Sequence, residues 1–538
     1  MVRILVALLL SAAAWGQAAG DPGKAQSSSS STTASTAAGE HSAGSTDALG
    51  SARALLKSGK YEDAAAAFQV ILGKDPAAAE AHAGLMRSLL RLRKINEAED
   101  AGKKAVAALP QSALMHAWLG NVEFRAGKFG EAEQEFKNSL KLDGNTARAW
   151  YGMGRIYEMV SMNKHAQDAC TNAHALDPDD DDIYRRWFDT LSYAEQLESF
   201  KKRVGNHPTE NEKNRLQLLS AVVEKKPWIL ASPFKPEEVK LEPYGRKLVG
   251  VEDIDRDGPV HISKGFGLQV KFNGRAQAVL LLDTGAGGII IGNKLAEKAG
   301  VVKIADTYVW GFGDEGAVRS YIGWVDKINI GGLEFHNCIV EVSSKNSVAD
   351  EAGLIGPDIF RQFLITLDWK ERKMLLAPLP KNPAFHGSDD DPQDRYIAPE
   401  MQSFTKVYRF GHDLVVPVVV SNKVLGNFVL DTGSEINIVG DKLADQVTKT
   451  SYQGYSMTGV SGRVKRVLTG DKAILQFAKM RIRSDDLPVV DLESMSAGEG
   501  TEIAGYIGIR TLVQMKMTID YRDGLVNLAV YEFKKARD

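Results

Sequence analysis

The stretch Leu282-Asp283-Thr284-Gly285-Ala286 recurs, slightly altered, as Leu430-Asp431-Thr432-Gly433-Ser434. Both copies follow an apolar, strand-like run, and both precede a second one that ends in glycine. Glycine permits the tight turn that would present the aspartate before it. Two aspartates on matching turns indicate a catalyst that uses a pair of carboxyl groups.

The similarity extends well beyond the two turns. The aspartates are separated by 431 − 283 = 148 residues, and Gly311 and Gly459 keep this offset. Further on, Leu354–Ile359 is echoed by Tyr506–Thr511 at an offset of 506 − 354 = 152. Short apolar runs alternating with glycine turns are typical of an all-β region. The sequence therefore predicts two copies of one fold, at residues 246–379 and 402–533, joined by a linker at 380–401.

Each copy resembles a retropepsin-like (pepsin-type) aspartic peptidase unit, with an Asp-Thr-Gly turn, a glycine-rich flap and an apolar-apolar-glycine segment. This resemblance implies an all-β tandem pseudo-dimer, the acid protease fold, acting as an aspartic endopeptidase on a peptide or protein substrate. It implies peptide-bond hydrolysis by a water molecule activated between Asp283 and Asp431, without metal or cofactor. It also implies that Thr284 and Thr432 bond across the two active-site loops, supported by Gly285, Gly433 and Ser434. The substrate-binding flap residues that it implies are Trp310, Gly311, Gly313 and Gly459.

Elementary electrostatics supports these roles, because two carboxyl groups about 3 Å apart cannot both ionise and therefore share a proton. The ionised member removes a proton from water while the protonated member polarises the scissile carbonyl group. One asymmetry between the copies is informative: Ser434 follows the second turn where Ala286 follows the first. A serine hydroxyl that donates to Asp431 would make Asp431 the more acidic member of the pair.

Two alternatives remain open at this stage. A duplicated peptidase fold can bind peptides without cutting them, or serve as a scaffold, although the presence of both aspartates favours catalysis. Trp310 fits equally well a flap aromatic that covers substrate and an ordinary packed tryptophan.

The N-terminal region repeats with a different period. Pro76 and Pro110 are 34 residues apart, and Pro178 lies two periods beyond Pro110. Small residues keep the same spacing, at Ala64, Ala98, Ala132 and Ala166. This pattern resembles the tetratricopeptide repeat (TPR). It predicts four repeats within a helical domain at 46–205, with a capping helix near 182–202. Looser packing is expected at Gly102 and Cys170, where the family usually has phenylalanine.

TPR stacks form a surface that binds peptides or partner proteins. The alternative is a spacer that only holds the next domain away from a surface.

The remaining segments concern export and linkage. Residues 1–19 have the charge, short apolar core and small residues of a signal peptide, which predicts a periplasmic or secreted protein without a membrane span after cleavage. Residues 20–45 are rich in serine, threonine and alanine and predict a disordered tether. Residues 206–245 contain several prolines and are expected to form a linker. Lysine plus arginine (66) nearly balances aspartate plus glutamate (69), so no net field favours nucleic acid.

Overall fold

The computed structural model describes residues 43–244, 265–314, 316–343, 352–388, 391–452, 457–459, 462–464 and 466–531. The predicted signal peptide and residues 20–42 of the predicted tether lie outside these ranges. The described chain divides into two compact units. One comprises residues 43–153 and 172–178, and the other comprises residues 154–171 and 179–531.

Helices make up the described chain up to residue 224. Eight of them occupy residues 43–176 as four consecutive pairs, at the period that the sequence predicts, and three more follow. These helices are α1 (Ala43–Lys57), α2 (Tyr61–Lys74), α3 (Ala79–Arg91), α4 (Ile95–Ala108), α5 (Ala113–Arg125), α6 (Phe129–Leu142), α7 (Ala147–Met159), α8 (Asn163–Leu176), α9 (Asp181–Thr190), α10 (Tyr193–Val204) and α11 (Glu210–Glu224).

Glycine and phenylalanine fit together where these helices meet. A methyl group built on Gly84 would lie 2.3 Å from the ring of Phe68, and one built on Gly152 would lie 2.2 Å from the ring of Phe136. Each glycine therefore lets an aromatic ring pack directly on a helix backbone. The expectation of loose packing at Gly102 is wrong, because the side chains of Leu119 and Met86 fill the space beside it.

Two segments differ from expectation. The single capping helix is interrupted, because Ser192 forms a capping box with Glu195 and so begins a second helix. The segment expected as a linker contains α11, which Thr209 caps in the same way with Glu212. It also contains three short strands that join the sheets described next.

The rest of the described chain is β-rich. Its strands are β1 (Ile229–Leu230), β2 (Glu237–Lys240), β3 (Glu242–Tyr244), β4 (Gly265–Phe272), β5 (Ala276–Leu282), β6 (Ile289–Gly292), β7 (Val302–Val309), β8 (Val318–Ile330), β9 (Leu333–Ser343), β10 (Gly353–Ile355), β11 (Phe363–Asp368), β12 (Lys373–Pro378), β13 (Thr405–Lys406), β14 (Tyr408–Phe410), β15 (Asp413–Val420), β16 (Val424–Asp431), β17 (Ile438–Gly440), β18 (Thr450–Ser451), β19 (Met457–Gly459), β20 (Gly462–Val464), β21 (Leu468–Phe477), β22 (Met480–Val490), β23 (Gly505–Gly508), β24 (Met515–Asp520) and β25 (Leu525–Val530). Between them lie the short helices α12 (Asn293–Ala299), α13 (Asp441–Val447), α14 (Glu493–Glu499) and α15 (Ile509–Leu512), and 3₁₀ turns at Pro357–Phe360 and Pro399–Met401. The structure thus confirms helical repeats followed by a β-rich region.

Two sheets have the same pattern of pairing. The first runs β1-β9-β6-β10-β5-β4-β8-β7 and closes through pairing of β8 with β9, while β3 pairs with β4. The second runs β14-β15-β16-β23-β17-β22-β21-β18 and closes through pairing of β15 with β21. In each sheet the strand before an Asp-Thr-Gly turn pairs in parallel with an apolar-glycine segment, β5 with β10 and β16 with β23.

A third sheet combines strands from both copies. Its order is β13-β25-β24-β11-β12-β2, and β11 pairs antiparallel with β24 so that Thr366 faces Thr518. One continuous apolar core lies among these sheets, with Phe272, Trp369 and Phe428 fully buried in it.

Candidate active site

Each Asp-Thr-Gly turn begins where a central strand ends. In each copy, pairing with the parallel strand holds this strand end in place. The backbone N–H of Asp283 donates to the carbonyl oxygen of Ile355 on β10 at 3.0 Å, and Asp431 pairs with Gly508 on β23. Because the strands before the turns end in the buried residues Leu282 and Leu430, each turn lies at the margin of the core with its aspartate attached to a rigid element.

Four hydrogen bonds join the two turns across the site. The hydroxyl of Thr284 donates to the carbonyl oxygen of Leu430 at 2.6 Å and accepts from the N–H of Thr432 at 2.9 Å. Reciprocally, the hydroxyl of Thr432 donates to the carbonyl oxygen of Leu282 at 2.8 Å and accepts from the N–H of Thr284 at 3.0 Å. Both threonines are buried, with exposed fractions of 0% and 1%. Each active-site loop is therefore held in place by hydrogen bonds to the backbone of the other loop.

The two carboxyl groups meet, and each lies against the glycine of the opposite turn. The carboxyl groups of Asp283 and Asp431 are hydrogen-bonded to each other. A methyl group on Gly285 would lie 2.8 Å from Oδ1 of Asp431, and one on Gly433 would lie 2.3 Å from the carboxyl carbon of Asp283. Only a residue without a side chain leaves room for this approach, which explains the glycine in both turns.

The pair is electrostatically unequal. Burial raises the pKa of Asp283 well above its ordinary value, and the neighbouring charge of Asp431 raises it further. Burial also raises the pKa of Asp431, but hydrogen bonds from Asp283 and from the backbone N–H groups of Gly433 and Ser434 oppose the rise. These hydrogen bonds favour Asp431 as the more acidic member of the pair.

The route to this asymmetry differs from the sequence prediction. The hydroxyl of Ser434 donates to the carbonyl oxygen of Ile436 at 3.0 Å instead of to Asp431. The backbone N–H of Ser434 makes the bond to Oδ1 of Asp431, at 3.1 Å. In the first turn the N–H of Ala286 points to the backbone carbonyl oxygen of Asp283, at 3.3 Å. The difference between the turns thus lies in backbone direction, while the serine side chain stabilises its own loop.

The predicted flap residues lie on two hairpins that contact each other. Trp310, Gly311 and Gly313 lie in the turn between β7 and β8, and Gly459 ends β19 in the second hairpin. A methyl group on Gly459 would lie 2.2 Å from the carbonyl oxygen of Phe312, so the two tips are in backbone contact. Trp310 is 56% exposed, which excludes the packed-core interpretation of this residue.

The structure also places three residues beside the pair that the sequence analysis missed. His412 lies in the turn between β14 and β15, Asp413 begins β15, and Glu499 ends α14. The ring of His412 contacts the carbonyl oxygen of Gly285, and Asp413 is hydrogen-bonded to Glu499. The sequence around Asp413 contains no pattern that predicts a contact with Glu499. For His412, the one available signal was its position just before an apolar strand.

Two features, a metal site and a membrane-spanning helix, are absent from the described chain. None of its groups of histidine, cysteine, aspartate and glutamate has the arrangement of a metal site. No helix in the ranges given above combines the length and hydropathy needed to cross a bilayer. Both cysteines, Cys170 and Cys338, are buried free thiols.

Two known family models match this chain, one in its β-rich part and one in its helical part. Residues 268–359 match the aspartyl protease family model, which includes the first turn with Asp283 and ends before the second. Residues 49–113 and 119–159 match the tetratricopeptide repeat family model.

Solved structures similar to this chain include the following three. A thermophilic TPR protein of Thermus thermophilus is 21% identical over 33% of this chain and 99% of its own, with a TM-score of 0.28. The pilF protein of Pseudomonas aeruginosa is 17% identical over 34% of this chain and 85% of its own, with a TM-score of 0.27. A TPR protein of Parabacteroides merdae is 14% identical over 34% of this chain and 73% of its own, with a TM-score of 0.26. No curated protein matches the chain.

Proposed function

We propose that this protein is an aspartic endopeptidase whose active site is an internal pseudo-dimer of the two Asp-Thr-Gly halves. The observation that carries the proposal is the hydrogen-bonded pair of Asp283 and Asp431, buried and held by reciprocal threonine bonds. A pair that serves only to close turns would have no need of this cross-loop arrangement. The aspartyl protease match over residues 268–359 supports the same reaction class.

The proposed reaction uses the two carboxyl groups in different protonation states. The carboxylate of Asp431 removes a proton from water, and the water oxygen attacks the scissile carbonyl carbon. The protonated Asp283 donates its hydrogen bond to the carbonyl oxygen as negative charge develops there. The proton that Asp431 took from water then passes to the leaving amine as the carbon–nitrogen bond breaks, which restores ionised Asp431. Such acid–base assistance contributes roughly 10²–10⁴-fold in rate.

The hairpin tips with Trp310 and Gly459 fit the role of a cover over bound peptide in this proposal. An exposed aromatic ring at such a position supplies apolar contact area for a substrate side chain. The helical repeats are proposed to dock the protein substrate or a partner protein, as TPR stacks present extended binding surfaces. Export to the periplasm or the medium, predicted from residues 1–19, is part of the same proposal.

The proposal is tested by incubating the full chain with an unfolded protein from acidic to neutral pH, with and without pepstatin. Asp283→Asn and Asp431→Asn are the decisive variants, because asparagine keeps the shape but cannot share the proton. Each is expected to lower kcat at least about 100-fold. The matched control is Asp445→Asn, which changes an exposed aspartate of α13 and should leave kcat unchanged.

Peptide binding measured in parallel separates the two candidate functions. Binding without cleavage by the wild type would identify a peptide-binding protein and reject the endopeptidase. Retained turnover in both asparagine variants would reject the shared-proton mechanism.

A further inference from the structure

The turn between β14 and β15 reaches the loop that presents Asp283. The ring atom Nε2 of His412 lies 3.2 Å from the carbonyl oxygen of Gly285, and since a carbonyl only accepts, this nitrogen is the donor. A methyl group built on Gly287 would lie 2.9 Å from Nδ1 of the same ring. The imidazole therefore packs directly on the backbone of the first active-site loop.

A buried cation holds this turn in place. Arg409 donates from Nη1 to the carbonyl oxygen of Tyr521 at 2.5 Å and from Nη2 to that of Gly411 at 3.1 Å. Gly411 has φ = 60°, a left-handed conformation suited to glycine, and it directly precedes His412. The position of the imidazole is thus set by the backbone and by Arg409.

The imidazole lies among four carboxyl groups. Nε2 of His412 is 3.4 Å from Oδ1 of Asp413, and a positive charge on this ring lowers the pKa of Asp358, Asp431 and Glu499 against the effect of burial. The elements packed around the imidazole carry further titratable and charged groups. These include Asp283 after β5, Asp358 and Arg361 near the 3₁₀ turn, Arg409 on β14, Asp413 on β15, Asp431 on β16, Glu499 on α14, Tyr506 on β23 and Tyr521 after β24.

Asp413 and Glu499 form a second acid pair beside the first. Burial raises the pKa of Glu499 to about 8, and burial raises the pKa of Asp413 well above its ordinary value. Oδ1 of Asp413 is buried without a hydrogen-bond partner in the described chain, and so is Nδ1 of His412. A positive charge on the imidazole, whose Nε2 lies 3.4 Å from Oδ1 of Asp413, would stabilise the ionised forms of these carboxyl groups.

Asp413 has no acidic counterpart at the equivalent position of the first half. At the 148-residue offset of the two Asp-Thr-Gly turns, the position of Asp413 corresponds to Gly265, since 413 − 148 = 265. Gly265 begins β4 just as Asp413 begins β15, so the two positions are structurally equivalent.

We propose that His412 is a positioning residue for the carboxyl pair: it fixes the first Asp-Thr-Gly loop through Gly285 and, as a cation, stabilises ionised Asp431. The proposal rests on the endopeptidase function proposed above. Together with the N–H of Ser434, it gives the second half a role in selecting which of the two aspartates carries the negative charge.

Two substitutions of His412 separate the effect of its hydrogen bond to Gly285 from the effect of its positive charge. His412→Gln keeps a donor but cannot be charged, so kcat at the optimum should stay within about threefold. Both limbs of its pH–rate profile should move up by about one pH unit, because loss of a nearby cation destabilises the ionised carboxyl groups. His412→Leu also removes the donor and should lower kcat about tenfold, with KM changed less than about twofold.

A matched control is His336→Gln, which neutralises a histidine paired with Glu334 on β9 and should leave the profile unchanged. A His412→Gln profile that superimposes on that of the wild type would overturn the proposal. So would a wild-type kcat in His412→Leu.

A second measurement is independent of proteolysis. The imidazole signal of His412, identified by its disappearance in His412→Gln, is followed by NMR titration in the wild type and in Asp431→Asn. The midpoint should be lower in Asp431→Asn than in the wild type, because the variant lacks the neighbouring anion. An unchanged midpoint refutes the coupling even if the enzyme is active. A lowered midpoint in a protein that cleaves nothing supports the coupling and rejects the endopeptidase function.

Discussion

Replacing the cross-loop threonines with valine should loosen the active site at a cost that can be worked out from the structure. In Thr432→Val the carbonyl oxygen of Leu282 and the N–H of Thr284 both lose their partner while staying buried. An unsatisfied buried polar group costs about 1–3 kcal/mol, so the predicted loss is about 2–6 kcal/mol. Thr284→Val strands two other backbone groups and should cost about the same.

The two losses should not add. Once one hydroxyl is gone the loops can separate and admit water, so Thr284→Val/Thr432→Val should cost clearly less than the sum of the single changes. The assay is urea unfolding of the β-rich unit, followed by fluorescence of its buried Trp369, together with kcat on an unfolded protein. A displacement of about 1 Å at the carboxyl pair should reduce kcat up to about 100-fold.

The matched control is Thr366→Val. Its hydroxyl bonds only that of Thr518, at 3.0 Å and partly exposed in the third sheet, so the expected loss is below about 1 kcal/mol. Single valine variants at the active site that lose less than about 0.5 kcal/mol, or that lose no more than the control, would refute this reasoning.

Two further predictions concern other parts of the molecule. Burial raises the pKa of Glu341 from 4.5 to about 7, so its contribution to stability is complete below pH 4.5 and is lost as pH rises through 7. The free energy of unfolding of Glu341→Gln, measured with urea relative to that of the wild type, should therefore be higher at pH 8 than at pH 5, by up to about 3 kcal/mol. A difference between variant and wild type that is the same at both pH values would contradict this prediction. In the repeats, Gly152→Ala would press a methyl group against Phe136 and should cost about 1–3 kcal/mol. Its control, Gly130→Ala, meets nothing within 4 Å and should stabilise by up to about 1 kcal/mol in thermal unfolding, so a reversed order of the two would count against the packing argument.

Periodic and duplicated features of the fold could be predicted from the sequence. The 34-residue spacing of prolines and alanines locates the helix pairs, because every repeat must bury the same small residues where helices cross. The duplicated Asp-Thr-Gly phrase locates the two strand ends, because the glycine and the apolar runs are local requirements of the turn. Equivalent positions such as Thr366 and Thr518 then meet in the third sheet.

Contacts that depend on long-range packing could not be predicted in this way. Asp413 and Glu499 are 86 residues apart, 499 − 413, and nothing in either neighbourhood announces the other. The direction of the Ser434 hydroxyl depends on a rotamer that the sequence does not specify. Helix α11 was not predicted for a different reason. The prolines around it favour an irregular linker, although Thr209 and Glu212 have the spacing of a capping box.

The shared proton of the carboxyl pair is tested most directly by carbon-13 NMR of aspartate carboxyl groups in the full chain, titrated from acid to alkaline pH. The account predicts that Asp431 ionises first and that Asp283 stays protonated well above pH 4, with Asp283 ionising at lower pH in Asp431→Asn. Two carboxyl groups that titrate independently near pH 4, each unaffected by replacement of the other, would contradict it.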